Sequence, residues 1–326
     1  MRIAIVNLNP GVDRVIYLPT SMQPGTMNRA AQTLFCQGSK AANQAMLLSA
    51  LGGGDAVDVD IHVYTFTGGP LGPVCDAFTA LPGITTHAIP TAAGIRVNTK
   101  VIDADGVCTE LNERGGPVTA EELELLISSL RAGCGNVDIL SIAGSIPQGV
   151  EKSVYKSLIE ENLAERVILD CDGEQLRLAV KANPYLIKPN RRELAGLVSA
   201  EGVNDFSPAL GTIEEVLAAC GLVRKKTAEK TNILCTLDAD GSIYAGSEGI
   251  WRVNAPAVPF RGFSGAGDTY LAAFTWARFA QGRDLPDALR YGAAAASAKV
   301  AKAGTNLPAR DEIEALTEAV VIEKLA

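Results

Sequence analysis

Four short apolar runs decide the fold: VDILSI (residues 137–142), VILD (167–170), YLIK (185–188) and NILCTL (232–237), with helical patterns between them. A fifth run, RIAIV (2–6), opens the chain. This alternation is typical of parallel strands joined by crossover helices, because both faces of such a sheet are buried. The sequence therefore predicts an α/β fold whose doubly wound, mostly parallel sheet is flanked by helices.

A second, smaller group of strands is predicted outside this sheet. Residues 95–102 alternate between apolar and polar, Asp105-Gly106 is a turn signal, and residues 107–111 return, which predicts a hairpin. An extended segment near residues 12–34 is expected to join it. We therefore expect a small β lid subdomain over the core, with segments at about residues 12–35 and 88–112.

The remaining pattern predicts helices and one further hairpin. Capping boxes at Thr119 with Glu122 and at Thr212 with Glu215 mark two helix starts. Asp240-Gly241 predicts the hairpin, and everything beyond it is predicted to be helical, over residues 266–281, 286–303 and 310–325. Because no repeat or flexible linker interrupts the chain, a single domain is expected over residues 1–326.

Composition and charge exclude several classes of protein. A chain of 326 residues with 47% hydrophobic and 20% charged residues is globular, not collagenous, coiled-coil or disordered. The net charge of −8 and the lack of a basic run argue against nucleic acid or an anionic membrane as a partner. No apolar stretch reaches the roughly 18 residues of a membrane span, and Asn7 and Asn9 interrupt the first apolar run, so a cytoplasmic location is expected.

Cysteine and histidine also limit the chemistry. The seven cysteines form no C-x-x-C pair, and the only two histidines, His62 and His87, lie outside any H-E-x-x-H pattern. A disulfide framework, a zinc site and a Ser-His-Asp triad therefore have little support. Any reaction must depend mainly on carboxylates, Lys, Arg, hydroxyls and backbone dipoles.

The sharpest motif is SGAGDT, residues 264–269, which ends an extended run and opens a helical pattern. Small residues at a helix start leave backbone N–H groups available to a phosphate or to a developing negative charge. Asp268 in the first turn would then accept a proton from an attacking hydroxyl. The alternative is an aspartate that only stabilises a helix N-terminus behind a glycine turn. The motif is neither a P-loop nor the dinucleotide fingerprint.

Three further groups of residues are candidates. GSKAAN (38–43) places small and polar residues at another helix start, although a plain loop-to-helix junction would look the same. KPNRRE (188–193) follows a predicted strand, at the sheet edge where α/β proteins bind ligands. In a functional reading, its lysine would pair with phosphate and its Asn and Glu would hold hydrated Mg²⁺. In a structural reading, Pro and Asn would only form a turn and a helix cap. Arg96 and Asn98 share one face of their strand and could face a cleft or solvent.

Together these segments resemble the PfkB carbohydrate kinases of the ribokinase superfamily over nearly the whole chain. NPGVD (9–13), GSKAAN (38–43), KPNRRE (188–193) and GAGD (265–268) are similar, in this order, to N-P-A-x-D, G-G-K-G-x-N, K-P-N-x-x-E and G-A-G-D. IRVN (95–98), TELNE (109–113) and AGSIP (143–147) resemble the phosphofructokinase and tagatose-phosphate kinase branch. The resemblance implies a ribokinase-like fold and a kinase that uses ATP and Mg²⁺.

The resemblance also implies roles for individual residues. It makes Asp268 the catalytic base and the N–H groups of Gly265, Ala266 and Gly267 the anion hole. The other implied roles are sugar binding by Asp13, Gly38, Ser39, Lys40 and Asn43, phosphate binding by Arg96 and Ser145, and ATP binding by Lys188, Asn190, Glu193, Thr236, Asp238 and Gly241, with Mg²⁺ at Asn190 and Glu193. The lid often mediates dimerisation in this family, so a homodimer through the lid is a further implication.

The chain departs from the family pattern at three positions. Ser39 and Ala41 replace glycines of the first signature, and Asp238 replaces the usual Gly of T-L-G-A-D-G beside the expected nucleotide. These departures bear on the choice of sugar and of nucleotide. The favoured substrate is fructose 1-phosphate, followed by fructose 6-phosphate and tagatose 6-phosphate. A kinase of a free sugar or nucleoside, and a non-catalytic sugar-phosphate sensor, remain as alternatives.

Overall fold

The computed structural model of the chain describes residues 1–52, 59–199, 209–262, 265–302, 304 and 306–326. Its strands are β1 (Arg2–Asn7), β2 (Gly11–Tyr17), β3 (Gln32–Gln37), β4 (Asp60–Thr67), β5 (Ile84–Pro90), β6 (Arg96–Ile102), β7 (Cys108–Asn112), β8 (Val137–Ala143), β9 (Ala164–Asp170), β10 (Leu186–Ile187), β11 (Asn232–Thr236), β12 (Ser242–Gly246), β13 (Gly249–Asn254) and β14 (Val321–Lys324). Its α-helices are α1 (Lys40–Gly52), α2 (Gly72–Thr79), α3 (Ala120–Gly133), α4 (Val154–Glu160), α5 (Gly173–Ala179), α6 (Arg191–Val198), α7 (Ile213–Lys226), α8 (Ala266–Thr275), α9 (Leu285–Val300) and α10 (Arg310–Thr317).

Ten of these strands form one large sheet, in the order β14-β13-β12-β11-β10-β9-β8-β1-β4-β5. The run from β5 to β11 is parallel, and β12, β13 and β14 are added antiparallel at one edge. The predicted parallel sheet is thus confirmed. Its central strands are mainly apolar because helices cover both of its faces.

Two hydrophobic clusters, one on each face of the sheet, form the core. One includes Leu126 of α3, Tyr155 of α4 and Val216 of α7. The other includes Leu47 of α1 and Leu289 of α9. The strands between these layers are buried on both sides, as expected for a doubly wound fold.

The four remaining strands form a second sheet in the order β3-β2-β6-β7. β6 and β7 are the predicted hairpin, paired antiparallel from Asn98↔Asn112 to Ile102↔Cys108. The sheet contacts the body of the protein through a small cluster of Val12, Cys75 and Ile95. The predicted second, small sheet is therefore present.

The C-terminal prediction was partly wrong. Residues 310–325 were expected to be one helix, but α10 ends at Thr317 and β14 follows it. β14 pairs antiparallel with β13, another strand that the sequence pattern did not indicate. Val321 and Ile322 are β-branched and lie beside the open edge of β13, so sheet pairing outweighs the helical pattern there. The helix predicted over residues 266–281 is present, as α8 followed directly by a π-helical segment at Trp276–Ala280, and α9 ends at Val300, before the predicted end at residue 303.

The connections of the large sheet determine where a ligand can bind. From β1 at the centre, β4 and β5 lie on one side and β8, β9, β10 and β11 on the other. The chain order therefore reverses between β1 and β8. In open α/β sheets, ligands bind beyond the carboxyl ends of the strands at such a reversal. Among the described residues, no helix is long and apolar enough to cross a membrane.

Candidate active site

The turn that opens α8 is the centre of the candidate site. Gly265 has a φ of +78°, a conformation that favours glycine, and α8 begins directly after it. The N–H groups of a first helical turn have no partner within the helix, so those of Ala266 and Gly267 favour an anion. Lys188 adds positive charge beside this turn. Its Nζ lies 3.1 Å from the position that a Cβ atom would take at Gly267. Ser264 of the predicted motif lies outside the described residues.

Asp268 follows in the same helical turn and is only 7% exposed. Asn43 on α1 donates from Nδ2 to Asp268 Oδ2 at 2.9 Å. Burial raises the pKa of Asp268 above its ordinary value and the charge of Asp170 raises it further, against the opposite effects of Lys40 and Lys188. This carboxylate is therefore a stronger base than an exposed aspartate, and Asn43 holds its orientation.

Asp170, a residue that the sequence analysis did not single out, joins the two lysines of the site. It ends β9 and is fully buried. Lys40 Nζ lies 2.8 Å from its Oδ1 and Lys188 Nζ lies 3.3 Å from its Oδ2. Burial by itself would raise the pKa of Asp170, but Lys188 and Lys40 outweigh that effect and lower it, so the carboxylate stays charged. The sequence does carry one signal for Asp170, because this charged residue ends the apolar run VILD.

Lys40, to which the resemblance assigns sugar binding, lies among carboxylates, and sugar binding by this residue stays a prediction. Besides Asp170, its Nζ lies 3.7 Å from Glu193 Oε1. Burial alone would lower the pKa of Lys40, but the charges of Asp170, Glu193 and Asp268 outweigh burial and raise the pKa well above its ordinary value. Lys40 therefore stays positively charged. It lies between Asp268, the implied base, and Glu193, an implied ATP-binding residue.

Asp13 lies on the face of the small sheet that is turned toward the site. It is 3% exposed. Its Oδ1 accepts a hydrogen bond from Asn98 Nδ2 at 3.0 Å, and its Oδ2 lies 2.6 Å from Lys100 Nζ. Asn98 was a candidate in the sequence, whereas Lys100 was missed, because only the pairing of β2 with β6 brings it to Asp13.

The loop between β3 and α1 packs tightly against Asp13. A side chain at Gly38 would begin 2.5 Å from Asp13 Oδ1, so only glycine fits at this position. The Ser39 hydroxyl accepts from Asn7 Nδ2 at 3.1 Å and from the Ala42 N–H at 3.4 Å. Ser39 is thus used to start α1, and sugar binding by this residue stays a prediction.

Arg96 and Ser145 are linked through Asn9. Arg96 Nε donates to the Asn9 carbonyl at 3.2 Å, and Asn9 Nδ2 donates to Ser145 Oγ at 2.9 Å. All three residues line the same cleft, whose volume is about 1130 Å³. Arg96 and Ser145, which are 49 positions apart in the sequence, therefore share one wall of it.

The loop between β10 and α6 connects this cleft to the next strand. Asn190 is the cap of α6: its side-chain oxygen accepts from the N–H groups of Arg192 and Glu193, each at 2.9 Å. Glu193 Oε2 accepts from the Asn190 N–H at 2.8 Å, which completes a capping box. Thr236 N donates to the Pro189 carbonyl at 3.0 Å, so the end of β11 lies directly beside this loop.

One carboxylate oxygen of Glu193 is directed to Lys40 rather than to the helix cap. This oxygen, Oε1, lies 3.7 Å from Lys40 Nζ, and the residue lines the cleft. The described residues hold no group of three or more His, Cys, Asp or Glu side chains that could bind a metal. Mg²⁺ usually keeps several waters and takes one or two carboxylates together with substrate phosphates. Glu193 fits such a hydrated ion, whereas a contact from the Asn190 oxygen would have to displace the cap of α6.

The turn after β11 adopts an unusual backbone conformation. Asp238 has a φ of +54°, a region that favours glycine but that aspartate tolerates better than most residues. This explains why Asp can stand where the family pattern has Gly. Gly241 ends the turn, and Arg191 anchors the turn to α6 through Asp240, with Arg191 Nη2 lying 2.6 Å from Asp240 Oδ2.

The cleft also contains residues that the sequence analysis missed. Its lining includes Arg114, Lys152 and Asp172 together with the predicted Asn190 and Glu193. Asp268 is not among the lining residues. Lys40 interacts electrostatically both with Asp268 and with Glu193, which lines the cleft. The predicted Arg96, Ser145, Asn190 and Glu193 thus line one cleft, and these three missed residues come from loops with no recognisable motif.

Comparison with known proteins agrees with this geometry. A family model described as pfkB family carbohydrate kinase matches residues 7–312. The chain is 30% identical over 311 residues to the 1-phosphofructokinase of Haloferax volcanii, covering 95% of both chains. It is 24% identical over 324 residues to the 1-phosphofructokinase of Escherichia coli (strain K12), covering 99% of this chain and 98% of that one.

Solved structures show the same fold. Phosphofructokinase-2 from Escherichia coli in complex with substrates and products superposes with a TM-score of 0.84 at 25% identity, covering 98% of this chain and 99% of that one. Ribokinase from Thermotoga maritima, at 21% identity, has a TM-score of 0.74 over 97% and 99% of the two chains. The match over residues 7–312 and the 30% identity over 95% of the chain lead to one conclusion: this chain belongs to the pfkB family of carbohydrate kinases and is a phosphotransferase with an alcohol group as acceptor.

Proposed function

We propose that this protein is an ATP- and Mg²⁺-dependent kinase that transfers the γ-phosphoryl group to a hydroxyl of a ketohexose phosphate, with fructose 1-phosphate as the favoured substrate. Fructose 6-phosphate and tagatose 6-phosphate rank next. The observation that carries the proposal is the pairing of Arg96 and Ser145 through Asn9 on the cleft wall, where a phosphate on the sugar would bind. Relatives named 1-phosphofructokinase support the same choice.

In the proposed reaction, Asp268 takes the proton of the attacking sugar hydroxyl. The hydroxyl oxygen forms a bond to the γ-phosphorus as the bond to the leaving oxygen of ADP breaks, and the proton ends on Asp268. Asn43 orients the carboxylate through its 2.9 Å hydrogen bond. The N–H groups of Gly265, Ala266 and Gly267, with Lys188 beside them, stabilise the negative charge on the transferred group. Mg²⁺, when bound near Glu193, would neutralise charge on the nucleotide phosphates.

The other residues have binding roles in this proposal. Asp13, Gly38 and Asn43 hold the sugar, Lys40 bridges Asp170 and Glu193 beside the phosphates, and the turn from Thr236 through Asp238 to Gly241 contacts the nucleotide. The whole chain acts as one domain, in which the small sheet, with segments at about residues 12–35 and 88–112, closes over the sugar as a lid. Asp13 supports this arrangement, because it belongs to the small sheet and is buried against Gly38, beside the start of α1.

A substrate panel tests the proposed function, with ADP release as the readout and free and phosphorylated ketohexoses as acceptors. We expect Arg96→Ala to raise the KM for the sugar phosphate at least about tenfold, because a charge-assisted hydrogen bond contributes about 1.5 to 3 kcal/mol. Arg131→Ala on the surface of α3 is the matched control and should leave KM unchanged. Equal turnover of free fructose or of a nucleoside would favour the kinase of a non-phosphorylated acceptor. Binding of sugar phosphate without any ADP release would favour a sensor.

A homodimer through the lid is a second part of the proposal. Phe35, Arg14, Thr99 and Leu111 are register partners across the four strands and so share one face of the small sheet. This face is opposite to the one that carries Asp13, and Phe35 and Leu111 are 60% and 61% exposed on it. A second copy of the chain would cover the two side chains in a self-complementary contact.

Phe35→Glu should therefore convert a wild-type dimer into a monomer, because it places a charge at the centre of the contact. Sedimentation or light scattering measures the molar mass in solution. Leu222→Glu, at an exposed leucine on α7, is the matched control and should remain dimeric. A monomeric wild-type protein, or a dimer that Phe35→Glu leaves intact, would contradict this part of the proposal.

A further inference from the structure

Lys299 on α9 is a buried lysine that the reaction described above does not use. Its relative exposure is 0%, and among the described residues only Lys188 is another buried lysine. Burying an ammonium group removes its hydration, and this costs folding free energy unless a nearby partner compensates. Lys188 has Asp170 as its partner. Lys299 has no carboxylate within ion-pair distance among the described residues, and its contacts lie at the candidate site instead.

These contacts lie behind the turn that opens α8. Lys299 Nζ donates to the carbonyl of Gly304 at 2.7 Å. A side chain added at Gly265 would begin 3.7 Å from Lys299 Cε and 3.3 Å from Asn43 Nδ2. Lys299 and Asn43 therefore both pack against Gly265, and Asn43 in turn holds Asp268. The lysine thus links the end of α9 and the segment at Gly304 to the start of α8.

The charged and titratable groups that face Lys299 come from four segments. Burial is the main effect on its pKa and lowers it. Cys36 on β3 and Asp268 on α8 raise the pKa, whereas Lys100 on β6 and Lys302 beyond α9 lower it, and the result is about 8. The ammonium is therefore mostly charged at neutral pH and loses its proton in mildly alkaline solution. Lys40 and Lys100 do not share this behaviour: although burial lowers the pKa of each, their neighbouring carboxylates outweigh it and raise both values above the ordinary one.

We propose that Lys299 is a positioning residue for phosphoryl transfer, whose ammonium, bonded to the Gly304 carbonyl, fixes the side chain against the turn at Gly265 so that the N–H groups at the start of α8 point at the transferred phosphoryl group. This inference rests on the proposed function. The effect is expected in kcat more than in KM, because the turn is needed most when negative charge develops on the transferred group. Small displacements of such groups have large effects on rate.

Lys299→Met tests the role of the charge, because methionine fills a similar volume without it. We expect kcat at pH 7 to fall about 10- to 100-fold, with the KM values for sugar phosphate and ATP changed less than about threefold. The wild-type kcat should decline above about pH 8 as the ammonium is lost. Lys299→Met should lack this decline, and Lys299→Arg should shift it to higher pH because a guanidinium stays charged. Lys302→Met is the matched control, since Lys302 pairs with Glu312 at 2.8 Å on the surface, and it should keep the wild-type kcat at pH 7.

A second measurement needs no substrate. NMR of lysine labelled with ¹³C at Cε, in the ligand-free protein, should show one resonance that titrates with a midpoint near pH 8 and is absent from Lys299→Met. A Lys299 that titrates near the ordinary lysine value of about 10.4 would overturn the inference. So would a Lys299→Met variant that melts like wild type and keeps both the wild-type kcat and its alkaline decline. A wild-type protein that phosphorylates no sugar phosphate would overturn the proposed function, and this inference with it, whereas normal wild-type turnover with an unchanged variant would overturn this inference alone.

Discussion

Asp268→Asn is expected to lower kcat by about 10²- to 10⁴-fold, the usual loss when a general base is removed. Asparagine keeps the size of the side chain and can still accept the hydrogen bond from Asn43, so the start of α8 and the dissociation constant for ATP should change little. The pH dependence gives a second signature. Asp268 must be ionised to accept a proton, and because burial and Asp170 raise its pKa, the acid limb of kcat should lie above the ordinary aspartate value of 3.8.

The control for this variant is Asp287→Asn. Asp287 also lies in the first turn of a helix, α9, but it is exposed and remote from the cleft. A carboxylate that only stabilises a helix N-terminus contributes about 0.3 to 1 kcal/mol to folding. Asp287→Asn should therefore lower the melting temperature slightly and leave kcat unchanged. If Asp268→Asn behaved in the same way, Asp268 would have no part in the reaction and the assignment of α8 as the catalytic helix would be wrong.

Lys188→Met is expected to lower kcat by about 10²- to 10³-fold, the range found when one donor to a developing anion is removed. The reason is its place beside Gly267, where its ammonium supplements the N–H groups of the helix start. The variant has a second effect, because Asp170 is fully buried and would keep only Lys40 as a partner. Breaking a buried ion pair typically costs about 3 to 5 kcal/mol, so the melting temperature should fall as well.

The double variant Asp170→Asn with Lys188→Met separates the two effects. Removing both charges leaves no buried carboxylate that lacks a partner, and Lys40 keeps Glu193 at 3.7 Å, so part of the lost stability should return. The lost turnover should not return, because the positive charge at Gly267 is still missing. Lys156→Met on the surface of α4 is the matched control and should change neither kcat nor the melting temperature. A double variant that regains the wild-type kcat would show that Lys188 acts only through the fold.

Local sequence patterns are enough to predict the features that depend on neighbouring residues. The apolar runs at residues 137–142 and 167–170 indicated the parallel sheet, because strands buried on both faces must be apolar along their length. The GAGD segment indicated a helix start that favours an anion, because small residues and capping geometry act within one turn. The hairpin around Asp105-Gly106 was predicted for the same reason, since turn chemistry is local.

The C-terminal segment marks the limit of that local reasoning. Residues 318–325 continue a plausible helical pattern, and only the presence of β13 as an open edge makes residues 321–324 a strand. Helix propensity is a weak preference that tertiary contacts routinely override. No pattern within the segment itself could have indicated its partner.

Which charges share the site depends on contacts between residues that are remote in the sequence. Asp170 meets Lys40 and Lys188 because β9 and β10 are neighbouring strands and α1 begins beside them, although Lys40 and Asp170 are 130 positions apart. Lys299 reaches Gly265 because α9 packs against α8. These contacts set the pKa values of Asp268 and Lys299, and a pKa depends on burial and on charges within a few ångströms of the group. Burial and distance between remote residues exist only once the chain has folded, so the sequence could indicate the helix that carries the chemistry but not the electrostatic surroundings in which it works.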